Sequence, residues 1–274
     1  MSIAWVAALG LAAPVEVYAA GDIADCRKVA ASESMAERTA ALIPSGATVL
    51  MLGDAAYKYA TREALATCYD PTWGVHLGST LAVAGNHDRV DGSTDDFRAY
   101  FGQQSGPEGY FARRLGNWLV VGLDSDPSSA EATSQLTWLE TTLEENRDAR
   151  CTLALWHAPL YSSGLHRGGG DHMRAYWVLL DRYGAEVVVS GHEHFYEAFD
   201  PLDAEGRSVS DGIRQFVVGT GGARLYGFWR PPYESRARIK RHGVLHLRLG
   251  DGDFEWEFID IDGVRSDRGT ARCR

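Results

Sequence analysis

Thr48-Val49-Leu50-Met51-Leu52-Gly53-Asp54-Ala55-Ala56-Tyr57 is the stretch that decides how this chain folds. An unbroken apolar run ends on glycine, and a carboxylate and a phenol follow directly. A short apolar run bounded by glycine suits a strand buried on both faces. The arrangement recurs four times: Val15-Glu16-Val17-Tyr18-Ala19-Ala20 runs into Gly21-Asp22, and Leu81-Ala82-Val83-Ala84 into Gly85-Asn86-His87-Asp88. Thr152-Leu153-Ala154-Leu155-Trp156 leads to His157, and Glu186-Val187-Val188-Val189-Ser190 to Gly191-His192-Glu193-His194. Helix-like stretches lie between several of these, at Glu33 to Ile43, Thr133 to Asn146 and His172 to Tyr183. Strands alternating with helices predict largely parallel pairing, and in open α/β sheets ligands sit beyond the carboxyl ends of the strands. All five polar clusters hold that position, so the topology itself predicts that they converge.

Each cluster alone has a plain structural explanation. Asp or Asn after Gly at a strand end is commonly a turn residue or a helix cap. His157 alone reads as a core histidine, and Tyr57 as a packed ring whose hydroxyl finds a backbone partner. Independent turn residues, however, have no reason to recur in this order. Together Asp22, Asp54, Tyr57, Asn86, His157, His192 and His194 offer donors for hard and borderline metal ions. Asp54, with two carboxylate oxygens, is suited to lend one to each of two ions. His192 and His194 are two apart on extended chain and point the same way.

The order of motifs resembles the calcineurin-like metallophosphoesterase superfamily, whose usual pattern is Asp-x-His, Gly-Asp-x-x-Asp, Gly-Asn-His-Asp/Glu, a lone His and Gly-His-x-His. Here Asp22-Ile23-Ala24 lacks the first histidine and Tyr57 replaces the second aspartate, which is similar to the purple acid phosphatase-like branch in its compact secreted bacterial form. The likeness runs from about Val15 to the C-terminus and includes Phe216-Val217-Val218-Gly219-Thr220-Gly221-Gly222. It implies a four-layer α/β/β/α sandwich with a dimetal site at the strand C-terminal edges. It also implies that Asp22, Tyr57 and His194 hold one ion, that Asn86, His157 and His192 hold the other, and that Asp54 bridges them. Fe(III) is expected at the Tyr57 site and Zn, Mn or Fe(II) at the second. Two ions about 3.5–4 Å apart hold a bridging hydroxide for in-line attack at phosphorus.

The expected reaction is hydrolysis of small phosphate esters, with phosphomonoesters first. Phosphodiester hydrolysis at the same site is the rival reading, and a non-catalytic phosphate- or polyanion-binding protein is the reading from another class. His87 is assigned to substrate binding and to protonating the leaving oxygen, with Asp88 holding it in orientation. The loop Ala158-Pro159-Leu160-Tyr161-Ser162-Ser163-Gly164-Leu165-His166 resembles the family segment that brings a further histidine to the phosphate. His166 is assigned that catalytic and binding role, with His172 as the runner-up. Arg167 and Arg174 are candidates to neutralise phosphate charge by paired donors.

Gly219-Thr220-Gly221-Gly222 follows a strand read over Gln215 to Val218, and is either a rim of the site or a turn. It lacks the Gly-Lys-Ser/Thr of a nucleotide-binding loop. The segment Arg224 to Arg241 mixes cations with Tyr226, Phe228, Trp229 and Tyr233, and admits a polyanion patch or an aromatic-packed insertion.

Composition sets the frame. The 274 residues suit one domain with a sizeable core, and the net charge of −10 argues against general nucleic-acid affinity. No apolar run is long enough to cross a bilayer. Residues 1–14 read either as the remainder of a signal peptide or as an N-terminal strand. Four cysteines, at 26, 68, 151 and 273, allow three pairings, and the resemblance implies Cys26 with Cys68 and Cys151 with Cys273. Such bridges, with the family, favour an extracytoplasmic setting.

Overall fold

Apolar runs become strands where the sequence places them. The computed structural model describes residues 13–166, 172–229 and 233–274, so residues 1–12 of the N-terminal segment and Arg167 lie outside the described residues. The first part contains β1 (Val15–Ala20), α1 (Met35–Ala40), β2 (Thr48–Met51), α2 (Arg62–Ala64), β3 (Thr80–Ala82) and α3 (Asp95–Phe101). The second continues with β4 (Phe111–Leu115), β5 (Trp118–Gly122), α4 (Ser129–Glu145), β6 (Cys151–Leu155), α5 (Met173–Arg182), β7 (Val187–Ser190), β8 (Tyr196–Ala198) and β9 (Arg214–Val218). Four strands close the chain: β10 (Ala237–Ile239), β11 (Gly243–Leu249), β12 (Asp253–Asp260) and β13 (Arg265–Arg272).

These strands form two sheets, ordered β13-β12-β11-β1-β2-β3 and β10-β8-β9-β7-β6-β5-β4. Pairing is parallel from β1 through β3, and from β5 through β6 and β7 to β9. It is antiparallel at the margins, which corrects the expectation of largely parallel sheets. The cause is local. Residues such as Gly250-Asp251-Gly252, between β11 and β12, make a turn too short for the crossover that parallel neighbours need.

Alternation along the second sheet explains the layers. Trp118, Val120, Leu153, Leu155, Val187 and Val189 join the core shared with the first sheet. Their neighbours Leu119, Val121, Ala154 and Val188 face a second core with Leu139 and Leu143 of α4 and Trp177 and Leu180 of α5. Both faces of the central strands are therefore buried, as their continuous apolar composition requires. Helix α5 buries Met173, Tyr176, Trp177 and Leu180, a spacing that lines one helical face. Each such side chain contributes about 1.5–3 kcal/mol by leaving water. Helix α4 starts on a reciprocal cap, Ser128 Oγ accepting from Glu131 N while Glu131 returns its carboxylate to Ser128 N at 2.8 Å.

The expected helix over Glu33 to Ile43 is shorter than its pattern. A 3-10 turn at Ala31–Glu33 precedes Ser34, whose side chain caps α1. The helix packs on the outer side of the first sheet together with the 3-10 segment Trp73–Ser79, where Trp73 Nε1 donates to Thr39 Oγ1 at 3.0 Å. Cys26 pairs with Cys68 and Cys151 with Cys273, at Cα separations of 5.8 and 5.7 Å. Among the described residues no helix is long and apolar enough to cross a membrane.

Candidate metal centre

The chain beyond each parallel strand stays in register, and this brings the polar clusters together. Past β1 and β2 the ladder continues as Asp22 N to Gly53 O at 3.0 Å and Ile23 N to Asp54 O at 2.9 Å. Across the seam between the sheets, His192 N donates to Asp22 Oδ2 at 2.8 Å. Asp22, Asp54 and His192 all adopt left-handed backbone, with φ of 60°, 55° and 69°. Such conformations cost energy in non-glycine residues and cluster at functional sites. Gly53 has no alternative, since a Cβ there would fall 2.5 Å from His157 Nδ1. Gly219 also touches the centre, its missing Cβ marking a point 2.7 Å from Asp22 Oδ2, so the Gly-rich segment lines the site as well as turning the chain.

The donor atoms form two sets. In one, Tyr57 Oη stands 2.9 Å from Asp22 Oδ1, 2.9 Å from Asp54 Oδ2 and 3.0 Å from His194 Nε2. His194 Nε2 is itself 3.0 Å from Asp22 Oδ1. In the other, Asn86 Oδ1 lies 3.1 Å from His157 Nε2 and 2.9 Å from His192 Nδ1, and the two histidine nitrogens are 3.2 Å apart. Asp54 Oδ1 completes this set, 3.5 Å from His157 Nε2. Asp54 thus gives a different oxygen to each set.

These donors fit cations. His157 Nδ1 points at Leu52 O, 2.7 Å away, and His194 Nδ1 at Arg224 O, 2.8 Å away. A carbonyl accepts only, so both Nδ1 atoms carry a proton and each Nε2 faces the donor set. His157 Nε2 and Asn86 Oδ1 meet at 3.1 Å, a contact that a positive charge between them, a proton or a cation, reconciles. Ligands about 2.1 Å from an ion stand about 3.0 Å apart at right angles and about 3.4 Å apart in a tetrahedron. The observed spacings match that range.

The electrostatics show the same strain. Burial would raise the Asp22 carboxyl, but the charge and hydrogen bond of His194, with His157 and His192, hold it well below the usual carboxylate range. Burial works against the charge on His194, yet Asp22 pushes that imidazole up to about 9. His192 is driven down to about 3 by burial and by the charge of His157. Burial, then the Asp22 and Asp54 charges, push the Tyr57 phenol well up. Bound cations would reverse this last effect by favouring the phenolate.

Two imidazoles flank the donors. His87 packs beside Tyr57, ring centroids 4.7 Å apart, with Nε2 4.0 Å from Asp54 Oδ2 and Nδ1 buried without a hydrogen-bond partner among the described residues. His166 lies on the other flank, its ring 4.8 Å from that of His192. Asp88 requires a correction, because it does not orient His87. Its carboxylate accepts the backbone N–H groups of Asp54 at 2.7 Å, Ala55 at 2.9 Å and Gly85 at 2.7 Å, tying two ligand loops together. Burial, followed by the Asp54 charge, pushes Asp88 up to about 7.

His172 heads α5 with Nε2 2.6 Å from Ser125 O, a backbone tie and not a donor to the centre. Arg174 donates to Ala204 O, away from the phosphate position expected of it. The basic segment near the C-terminus is largely neutralised where described: Arg236 pairs with Asp267, Arg238 with Glu197 and Arg241 with Asp260. Sequence reasoning missed Tyr226 and Glu193. Tyr226 stacks on His194 at 4.6 Å and donates to His192 O at 2.9 Å. Its only signal was its place just after the glycine-rich turn.

A family model for the calcineurin-like phosphoesterase, Metallophos, matches residues 15–196. The chain belongs to this family. Tyr57 and the missing first histidine put it in the purple acid phosphatase-like branch. It is similar to purple acid phosphatase 21 of Arabidopsis thaliana, 26% identical over 186 residues, covering 62% of this chain and 42% of that one. It also resembles Fe(3+)-Zn(2+) purple acid phosphatase 12 of the same plant, 25% identical over 194 residues, covering 61% and 40%. The chain thus spans about two fifths of the length of those curated relatives. Among solved structures, its fold resembles purple acid phosphatase PPD1 of yellow lupin, with a TM-score of 0.70 at 17% identity over 94% of this chain and 54% of that one. It likewise resembles GAP50, the anchor in the inner membrane complex of Plasmodium, with a TM-score of 0.74 at 15% identity over 96% and 90%.

Proposed function

We propose that this chain hydrolyses phosphate esters, phosphomonoesters foremost, at a site that binds two cations. The observation that carries the reading is the division of seven donor residues into two sets that share the two oxygens of Asp54. Bound there, two cations would lower the pKa of water and neutralise charge on a phosphoryl group. The chain's own part is placement. Asp22, Tyr57 and His194 would hold one cation and Asn86, His157 and His192 the other, with His157 and His194 oriented by the carbonyls of Leu52 and Arg224. His87 donates a proton to the departing oxygen from the Tyr57 side, and His166 binds a phosphate oxygen from the His192 side. GAP50 shares the fold and is described as an anchor, so the reading rests on the donor set and not on the fold.

A tyrosine among the donors favours a hard trivalent ion, hence Fe(III) on that side, with Zn, Mn or Fe(II) on the other. Replacing Tyr57 by phenylalanine is expected to abolish any visible charge-transfer band, and unchanged colour would remove Tyr57 from the ligands. Two disulfides support an extracytoplasmic setting. The deciding experiment measures metal content together with hydrolysis of an aryl phosphate and a bis-aryl phosphate. Near two ions per chain with monoester turnover is the expected result. Faster diester turnover would favour the phosphodiesterase reading, which the exposed Asn86 and half-exposed His166 side chains leave sterically open. Protein that stays inactive after loading with Fe, Zn and Mn would refute both.

A further inference from the structure

Glu193 sits between two candidate ligands in sequence, on the bent chain beyond β7, and its carboxylate meets the loop that leads to His166. It is 0% exposed. A buried carboxylate is costly unless it is paired and hydrogen-bonded, so its partners show what it is for. Glu193 Oε1 accepts the backbone N–H of His166 at 2.9 Å, and Oε2 stands 3.4 Å from His166 Nδ1. The loop is wrapped onto the carboxylate, since a Cβ on Gly164 would fall 2.0 Å from it. Four residues on, Glu197, also fully buried, accepts from Ser163 N at 2.9 Å and Ser163 Oγ at 2.6 Å. Two buried carboxylates therefore hold successive parts of one loop, and only Glu193 reaches the imidazole.

Tyr226 completes the arrangement, with Oη 3.2 Å from His166 Nδ1. Because that hydroxyl donates to His192 O, it can only accept from the imidazole. Both neighbours of His166 Nδ1 are acceptors, so they face an Nδ1–H and the ring turns Nε2 outward. To bind a phosphate oxygen there, Nε2 must carry a proton as well. A carboxylate serving the loop backbone alone would have no need of the second contact.

We propose that Glu193 is a positioning residue, acting from inside the His192 to His194 motif to set the orientation of His166. The three-residue stretch then supplies two ligands and aims the imidazole that binds phosphate. This rests on the reading of the site as a phosphoesterase centre with His166 at the phosphate.

The test is a double-mutant cycle of Glu193→Gln and His166→Asn on the metal-loaded full chain. Glu193→Gln is expected to lower kcat/KM for an aryl phosphate about tenfold, mainly through KM, and to weaken inhibition by inorganic phosphate to a similar degree, with metal content unchanged. The double variant should be no worse than His166→Asn alone, because one residue acts through the other. Losses that multiply, or a loss of metal in Glu193→Gln, would overturn the proposal. A second readout needs no turnover: a crystal structure of Glu193→Gln with inorganic phosphate should show the His166 ring turned from its wild-type orientation and its contact with phosphate lost. A ring that keeps its wild-type orientation would also overturn the proposal. Should Glu193→Gln fail to fold, Tyr226→Phe removes the other acceptor and should loosen the ring in the same direction. Wild-type protein without phosphoester hydrolysis, but with His166 held in wild type and released in Glu193→Gln, would refute the functional reading and leave the positioning of His166 standing.

Discussion

Replacing Asp54 by asparagine changes little besides charge. Asparagine tolerates left-handed backbone, here φ 55°, as readily as aspartate. Its amide oxygen can still accept the His87 N–H that Oδ1 now takes at 2.8 Å. The loss is the anionic oxygen on the Tyr57 side. Two effects of opposite sign follow. Without cations the fold is relieved of repulsion. Burial first and the Asp54 charge second raise Asp88 from 3.8 to about 7, a difference equivalent to ~4 kcal/mol. The same charge attracts His157 and His194, and that attraction is lost with it. The two effects oppose each other, so without cations Tm should move by no more than about 2–4 °C, roughly 1 kcal/mol for a chain of this size. With cations at a hundred times their Kd, the wild type gains about 2.7 kcal/mol per site that the variant forfeits wherever binding fails. Asp54→Asn should therefore melt close to the wild type in chelator and clearly below it in metal, with one ion or fewer and turnover down at least about a hundredfold. Differential scanning calorimetry in both buffers, with elemental analysis, gives the answer. A variant that gains as much from metal as the wild type does, or keeps two ions at full turnover, would refute the shared-oxygen argument.

His87→Ala should slow alkyl phosphates about a hundredfold and nitrophenyl phosphate by less than about tenfold, because only the poor leaving group needs the proton. Equal losses would remove His87 from that role. Cys273→Ser opens a closure spanning 122 residues and should cost about 4–5 kcal/mol, read as a lower urea midpoint under non-reducing conditions. An unchanged midpoint would contradict it. Glu186 is buried, and that burial pushes it up to about 7 against hydrogen bonds from the N–H groups of Thr152 and Arg274. The folded chain then keeps a proton that the unfolded chain releases above about 4.5. Stability should fall as pH rises from about 4.5 to about 7 and flatten beyond, and Glu186→Gln should flatten that slope. A slope that survives the substitution would place its origin elsewhere.

The parallel strands and the ligand loops were legible because one physical device marks both. An apolar run long enough to bury two faces must end where the chain turns, and glycine followed by a small polar residue makes that end visible. β1 was read over its full length, and β2, β6, β7 and β9 to within about a residue at each end. The antiparallel margins were less legible. β12 and β13 carry alternating exposed charge, whose pairing depends on turns and not on apolar content. Asp88 was misjudged because adjacency in sequence suggested a partner for His87, whereas the 3-10 turn Asn86–Asp88 points its carboxylate back at three amides. His172 and Arg174 fit a chemical role by residue type, but their loop and helix aim them at backbone carbonyls. Glu193 and Tyr226 act through contacts 27 and 60 residues from His166, distances at which no local pattern carries information.

The two donor sets straddle the line where the sheets meet. Asp22, Asp54 and Asn86 follow strands of the first, and His157 and the His192 to His194 motif follow strands of the second. Neither half can hold an ion pair by itself, and His192 is 170 residues from the Asp22 carboxylate that it meets. Metal uptake at the proposed site would thus be a form of quality control. A chain with its sheets misdocked, even by one residue of register, would display much the same secondary structure and still fail to retain its ions.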